Sequence, residues 1–349
     1  MKFSYGMLPD HPVEELIAAI ELADELGFYS VCGGDETYHK DIWSIFAAAA
    51  RSTKRIRLTT DVTHVILKDP TIIAQQAATL DELSGGRVEL GYSIGNFGML
   101  EQYHVTDKAA RSLARLREAH HVMRTFLDEG TIDFHGEFYE YTGLFTSARP
   151  VQKRMPIKIG AMRGPKSFEL AGEIAEGMHQ ALGYSREAMD YAVEHIRIGA
   201  DRAGRDWRTL DIGAWMVASV STDSQAAKDA ARVLAAFYIS AMPREQVERN
   251  GIDPDSLTPI VEAFTAGDVE RGVELTTPEL GEKLSCAGTP EEIVEKIRTD
   301  VVPSGFNHVI LALTDPYLVE TWSGRKIENV PGLKEQLRLI HDQVMPHFP

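Results

Sequence analysis

The chain has two cysteines in 349 residues, Cys32 and Cys286, and they offer neither a metal-ligand spacing nor a disulfide framework. Such scarcity suits a reducing cytoplasm. No apolar run approaches the about 20 residues that cross a bilayer, so no membrane span is expected. The opening Met1-Lys2-Phe3-Ser4-Tyr5-Gly6 lacks the apolar core of a signal peptide. Basic residues are outnumbered, 36 against 52 acidic ones, and the formal net charge of −16 argues against nucleic acid or an anionic membrane as partner. No two histidines have ligand spacing, and the adjacent His120 and His121 point apart on a helix, so no metal site is expected. A Gly-x-Ser-x-Gly elbow is missing. So is a G-x-G-x-x-G after the first strand with an acidic residue about 20 positions on.

What is present is a regular alternation of strand and helix signals. Lys2 to Met7 alternates as a first strand. Pro12 starts a helix whose Leu16, Ile17, Ile20, Ala23 and Leu26 share a face, and Gly27 ends it. Further strands are expected at 28–32, 55–65, 87–92, 157–159, 176–182, 210–220 and 307–313. Helices are expected at 42–50, 71–83, about 109–128, from Ser185, at 225–239 and at 332–344. Residues 131–143, with Ile132, Phe134, Phe138 and Tyr141 around His135-Gly136, read as a β-hairpin insertion. Residues 241–285 read as an irregular excursion of short helices before the last repeat. Thr289-Pro290-Glu291-Glu292 then predicts a capped helix start. Eight strand–helix repeats imply a parallel α/β fold, a (β/α)8 TIM barrel spanning 1–349 as one domain. Two Rossmann-like halves are the runner-up.

In such a barrel, chemistry gathers at the strand C-termini. Those ends carry Asp35-Glu36, Asp61-Val62-Thr63-His64, Ser93-Ile94-Gly95-Asn96, His179-Gln180, Trp215-Met216 and Thr314-Asp315, with Tyr38, His39 and Trp43 close by. Each has a plainer alternative as a helix cap, a solvated loop pair or a rim histidine. Pro156 to Lys166 is more specific. Ile157 and Ile159, with Lys158 between, make a short buried strand. Gly160-Ala161 then remove bulk, Met162 and Arg163 follow, and Gly164-Pro165 open a helix, with Lys166 adding charge. Free N–H groups at such a helix start favour an anion, so the stretch reads as a phosphate seat. A strand-to-helix turn that merely needed glycine fits the same residues.

Four segments resemble the bacterial-luciferase-like superfamily of flavin- and deazaflavin-dependent oxidoreductases: Glu25-Leu26-Gly27-Phe28 with Gly34-Asp35, Thr79 to Gly91, Pro156 to Gly177, and Gly288-Thr289-Pro290-Glu291-Glu292. Within that superfamily the chain is most similar to the F420-dependent methylenetetrahydromethanopterin reductase-like branch. The resemblance implies a homodimeric oxidoreductase moving a hydride between reduced coenzyme F420 and a small organic substrate, and the cysteine usage places it in the cytoplasm. It also implies a non-prolyl cis peptide at Asp61-Val62. By position it assigns Asp35, Asp61, Val62, Thr63, Ser93, Gly95, His179 and Gln180 to the cofactor ring and side chain. Gly160, Ala161, Met162, Arg163, Gly164 and Pro165 fall to its phosphate. Where many relatives have Asp-His after strand two, this chain has Asp35-Glu36, and Asn96 replaces a glutamate found in sugar-phosphate dehydrogenase relatives. Glu36 is therefore the expected acid/base, with His39, His64 and Asn96 as polar partners. An FMN-dependent monooxygenase and a barrel that binds cofactor without turnover are the alternatives.

Overall fold

All eight expected barrel strands form, in the expected order. The structure, a computed structural model, describes residues 1–162, 164–181, 183–239 and 241–349. Arg163 of the phosphate seat and Leu182 at the end of the sixth expected strand lie outside the described residues. The first strands are β1 (Lys2–Met7), β2 (Ser30–Gly33), β3 (Arg57–His64) and β4 (Val88–Ser93). A hairpin of β5 (Thr131–His135) and β6 (Glu140–Phe145) follows. Then come β7 (Ile157–Ala161), β8 (Gly177–Ala181), β9 (Asp211–Val220), the short β10 (Cys286–Gly288) and β11 (His308–Leu313). Parallel pairing runs β1–β2–β3–β4–β7–β8–β9–β11 and closes from β11 onto β1, with Lys2 opposite His308. The result is a closed (β/α)8 barrel. The hairpin pairs antiparallel, apart from the ring, and runs to Phe145, two residues beyond its expected end.

Local chemistry sets the helix ends. Gly27 closes the helix Val13–Leu26 in the left-handed conformation, at φ 81°. Thr289 caps Pro290–Lys296, with Glu292 completing the capping box that the spacing predicts. The 241–285 excursion contains the short helices Arg244–Arg249, Thr258–Thr265, Val269–Leu275 and Pro278–Lys283. One strand and two α-helices go beyond the sequence expectation. Phe97–Gln102 and β10 are too short for periodicity to register. Pro316–Ser323 does carry a start signal, its cap Asp315 before Pro316, but the same aspartate reads as a strand end.

The barrel axis departs from the branched apolar layers usual in such barrels. Ile157 and Ile159 are fully buried, and strand alternation turns Lys158 the other way, into the axis. Its ammonium meets Glu89 Oε2 on β4 at 2.5 Å and Asp211 Oδ2 on β9 at 2.6 Å. Burial, the largest cause, would raise the Glu89 carboxyl, but the charge and hydrogen bond of Lys158 together with the charge of Arg57 outweigh it and hold the group at about 2. Burial opposes the ammonium too, and Asp211 and Glu89 keep it above the ordinary lysine value. Ser4 extends this polar column, 2.7 Å from Ser30 Oγ and 2.6 Å from His308 Nε2. Arg57 and Lys2 close its lower end on Glu89 at 2.7 Å and Asp211 at 3.0 Å, beside a cavity of about 230 Å³. That cavity lies at the strand N-termini, the end that serves stability in this fold rather than catalysis.

On the helix side of β4, Tyr92 Oη lies 3.2 Å from His120 Nδ1. Burial, the leading cause, lowers His120 to about 4. Between the ordinary 6.5 and about 4, the unfolded chain takes up a proton that the native ring refuses. Stability is therefore full above that window and falls with pH across it. Thermal melts from neutral pH into this window should show the parent chain losing melting temperature more steeply than His120→Gln; parallel curves would remove the assignment.

Candidate active site

Asp35 organises the mouth between β2 and β3. Its Oδ2 accepts from Lys68 Nζ at 2.5 Å, Thr63 Oγ1 at 2.6 Å and Trp43 Nε1 at 2.9 Å. Burial would raise this carboxyl, but the three donors outweigh it and hold Asp35 below the usual aspartate value. Its N–H donates to Val62 O at 3.1 Å. The Asp61–Val62 peptide is cis, at a register shift between Thr60 and Thr63, where the resemblance implied it. Gly160 makes room for the neighbouring side chain: a Cβ there would lie 2.6 Å from Val62 Cγ1.

Glu36 sits beside this ledge. Burial leads in raising its carboxyl above the ordinary 4.5; Asp35 adds to the rise, while His39 and Asn96 oppose it. His64 Nε2 lies 3.8 Å from Glu36 Oε1. Burial pushes His64 down to about 4, so at neutral pH the ring is uncharged and the contact is not an ion pair. His64 Nδ1 is buried without a partner among the described residues. Asn96 also caps the helix Phe97–Gln102, its Oδ1 accepting from Gly98 N at 2.9 Å. Ser93 Oγ accepts from Gly95 N at 3.1 Å, and Gly95 packs on the His64 ring. His39 is engaged elsewhere, its Nδ1 2.8 Å from Asp10 Oδ1. Burial lowers His39, but the bond and charge of Asp10 prevail and raise it, favouring a charged ring.

The far side of the mouth is built from β7 and β8. His179 Nδ1 lies 2.9 Å from Asp61 Oδ2, and its Nε2 lies 3.3 Å from Lys158 Nζ. His179, Asp211 and His308 stand close enough to hold a cation, but the Lys158 ammonium already occupies that role, 2.6 Å from Asp211. Gly164 caps the helix Pro165–Ile174 with no side-chain bond, Pro165 takes the first turn, and the space beside the Gly164 Cα is open. Ala161 is buried and Met162 half-buried at the turn. Lys166, expected to charge the seat, pairs with Glu169 at 3.0 Å, which also takes Arg202 at 2.8 Å. The residues fit a ring cofactor with a phosphate tail on two observations. The helix start has no side-chain cap, and the space beside the Gly164 Cα is open. Gln180, 2% exposed, has no partner for either amide atom among the described residues.

Two participants escaped the sequence reading. Lys68 lies a few residues past a strand end, the only local hint it carries. Tyr238 has none: it sits at the end of the helix Ser224–Ile239, and its hydroxyl accepts from Trp215 Nε1 at 2.9 Å. Burial, then the charges of Glu36 and Asp61, raise Tyr238.

A family model described as luciferase-like monooxygenase matches residues 1–308. The 5,10-methylenetetrahydromethanopterin reductase of Archaeoglobus fulgidus is 28% identical over 350 residues, covering 99% of each chain. The F420-dependent glucose-6-phosphate dehydrogenase of Nakamurella multipartita is 28% identical, covering 96% of this chain and 92% of that protein. Among solved structures, the coenzyme F420-dependent tetrahydromethanopterin reductase of Methanopyrus kandleri superposes with a TM-score of 0.86 at 26% identity, over 100% of this chain and 99% of its own.

Proposed function

Because the chain belongs to the luciferase-like monooxygenase family, we propose that it is an F420-dependent oxidoreductase that transfers a hydride between reduced coenzyme F420 and a small organic substrate. The names of its end-to-end relatives support the cofactor. The observation that carries the reaction is a half-buried carboxyl at the strand C-termini, Glu36, which lies 3.8 Å from His64, shares the space beside Gly34 with Asp61, and is raised above its ordinary value chiefly by burial. Gly160, Ala161 and Gly164, with the start of the helix Pro165–Ile174, would hold the phosphate. Asp35, Asp61, Val62, Thr63, Ser93, Gly95 and Gln180 would line the ring and its side chain. When bound, reduced F420 supplies the hydride. Glu36, its carboxyl raised above the ordinary value by burial, would deliver a proton to the substrate atom that needs one. Asn96 orients that carboxyl, neutral His64 shields it from water, and His39, held by Asp10, lies nearby. We place the enzyme in the cytoplasm on its sparse cysteines and as a homodimer on the family resemblance; a single-chain mass in sedimentation would remove the dimer.

Mass spectrometry of the ligand that co-purifies from a host making both F420 and FMN tests the cofactor. F420 is expected, and FMN would replace this reading with the monooxygenase one. Oxidation of reduced F420 across a panel of carbonyl, imine and methylene-pterin substrates tests turnover. Binding with no oxidation on any of them would leave a cofactor-binding barrel. Gly160→Ala tests the ledge. The added methyl would meet β-branched Val62, which has few rotamers to yield into. Overpacking of about 1–3 kcal/mol predicts an F420 dissociation constant raised about tenfold or more. Fluorescence titration reads it, and an unchanged constant would move the ring away from Val62.

A further inference from the structure

We propose that Lys158 is a positioning residue for this site: through His179 it fixes the orientation in which the Asp61 carboxylate meets the ligand. The inference rests on the reading that a cofactor ring lies against Asp61-Val62. An ammonium only donates. With Lys158 Nζ 3.3 Å from His179 Nε2, that nitrogen must present its lone pair, so the ring proton sits on Nδ1. Nδ1–H then donates to Asp61 Oδ2 at 2.9 Å. The chain of bonds has one direction, from the axis to the mouth.

Packing fixes the plane of the His179 ring, and its two bonds select which way round it lies. His308 meets it edge-on, with ring centroids 5.2 Å apart at 88°. Gly213 lies behind it, where a Cβ would come within 2.6 Å of His179 Cδ2. Lys158 is itself fixed by Glu89 at 2.5 Å and Asp211 at 2.6 Å. Both ring nitrogens of His179 are thus committed to the protein. Its contribution to the site is to turn Asp61, whose side chain is only 6% exposed, rather than to touch a ligand.

The test reads the ring tautomer in the full chain without cofactor, by proton–nitrogen correlation on histidine labelled with nitrogen-15, with His179→Gln identifying the signal. The Nδ1–H form is expected, and an Nε2–H ring in the parent chain overturns the proposal. Lys158→Met combined with Glu89→Gln removes the donor together with one of its two carboxylates, and Asp211 keeps Lys2 at 3.0 Å. In that variant His179 should lose its fixed Nδ1–H form, and F420 affinity should fall about tenfold, as when a supporting partner is removed from a bound-group site. Retention of the Nδ1–H form there overturns it equally. The parent-chain spectrum decides even if the variant does not fold. A parent chain with the expected tautomer but no affinity for F420 would count against the functional reading, while the His179 assignment would stand.

Discussion

Glu36→Gln is expected to lower turnover by about two to three orders of magnitude, while F420 affinity changes only a few-fold. Glutamine keeps the shape and can still donate a hydrogen bond, but it has no proton to give. The pH profile carries the sign. In the reducing direction the protonated carboxyl is the working form, so activity falls as pH rises through the raised Glu36 value. The variant should lack that limb. Stability runs the other way. Above the ordinary 4.5 the unfolded carboxyl has lost a proton that the native one keeps, so Glu36 costs stability as pH rises across the gap. Glu36→Gln should therefore melt higher than the parent near neutral pH. Full turnover with cofactor bound would end the assignment of Glu36 as the acid.

Lys158→Met alone should destabilise the barrel by about 3–5 kcal/mol, because it takes the central counter-charge from two buried carboxylates and leaves them only Arg57 and Lys2 at the rim. Glu89 and Asp211 both lean on this one ammonium. With Glu89 held at about 2, its share of stability is present above the ordinary 4.5 and lost as pH falls through about 2. The variant should lose that acid dependence along with its stability, and adding Glu89→Gln should recover part of the loss. Urea denaturation at neutral pH measures the effect. A change under about 1 kcal/mol, the range of an exposed pair, would mean the column is solvated.

The two predictions concern residues that differ in how visible they are in the sequence. Glu36 follows a strand with a clear period, so its place at the mouth follows once the barrel is recognised. The Asp61-Val62 ledge and the phosphate turn came from matched family phrases; period alone left the turn ambiguous. Lys158 was in plain view between two isoleucines, but alternation does not separate a polar residue facing water from one facing a charged axis. Its partners lie 69 and 53 residues away, beyond any local window. Tyr238 was hidden for the same reason. Asn96 shows the converse: a residue singled out for chemistry also caps a helix too short to be foreseen.

The charged column has a thermal consequence. Exposing apolar surface raises the heat capacity of unfolding, and exposing polar surface lowers it. An axis of Lys158, Glu89, Asp211 and His308, in place of stacked branched aliphatics, gives this barrel a smaller heat-capacity increment and so a flatter stability curve. The cost of drying those charges also shrinks on heating. The interior that aligns the mouth is thus the part of the fold that weakens least with warmth.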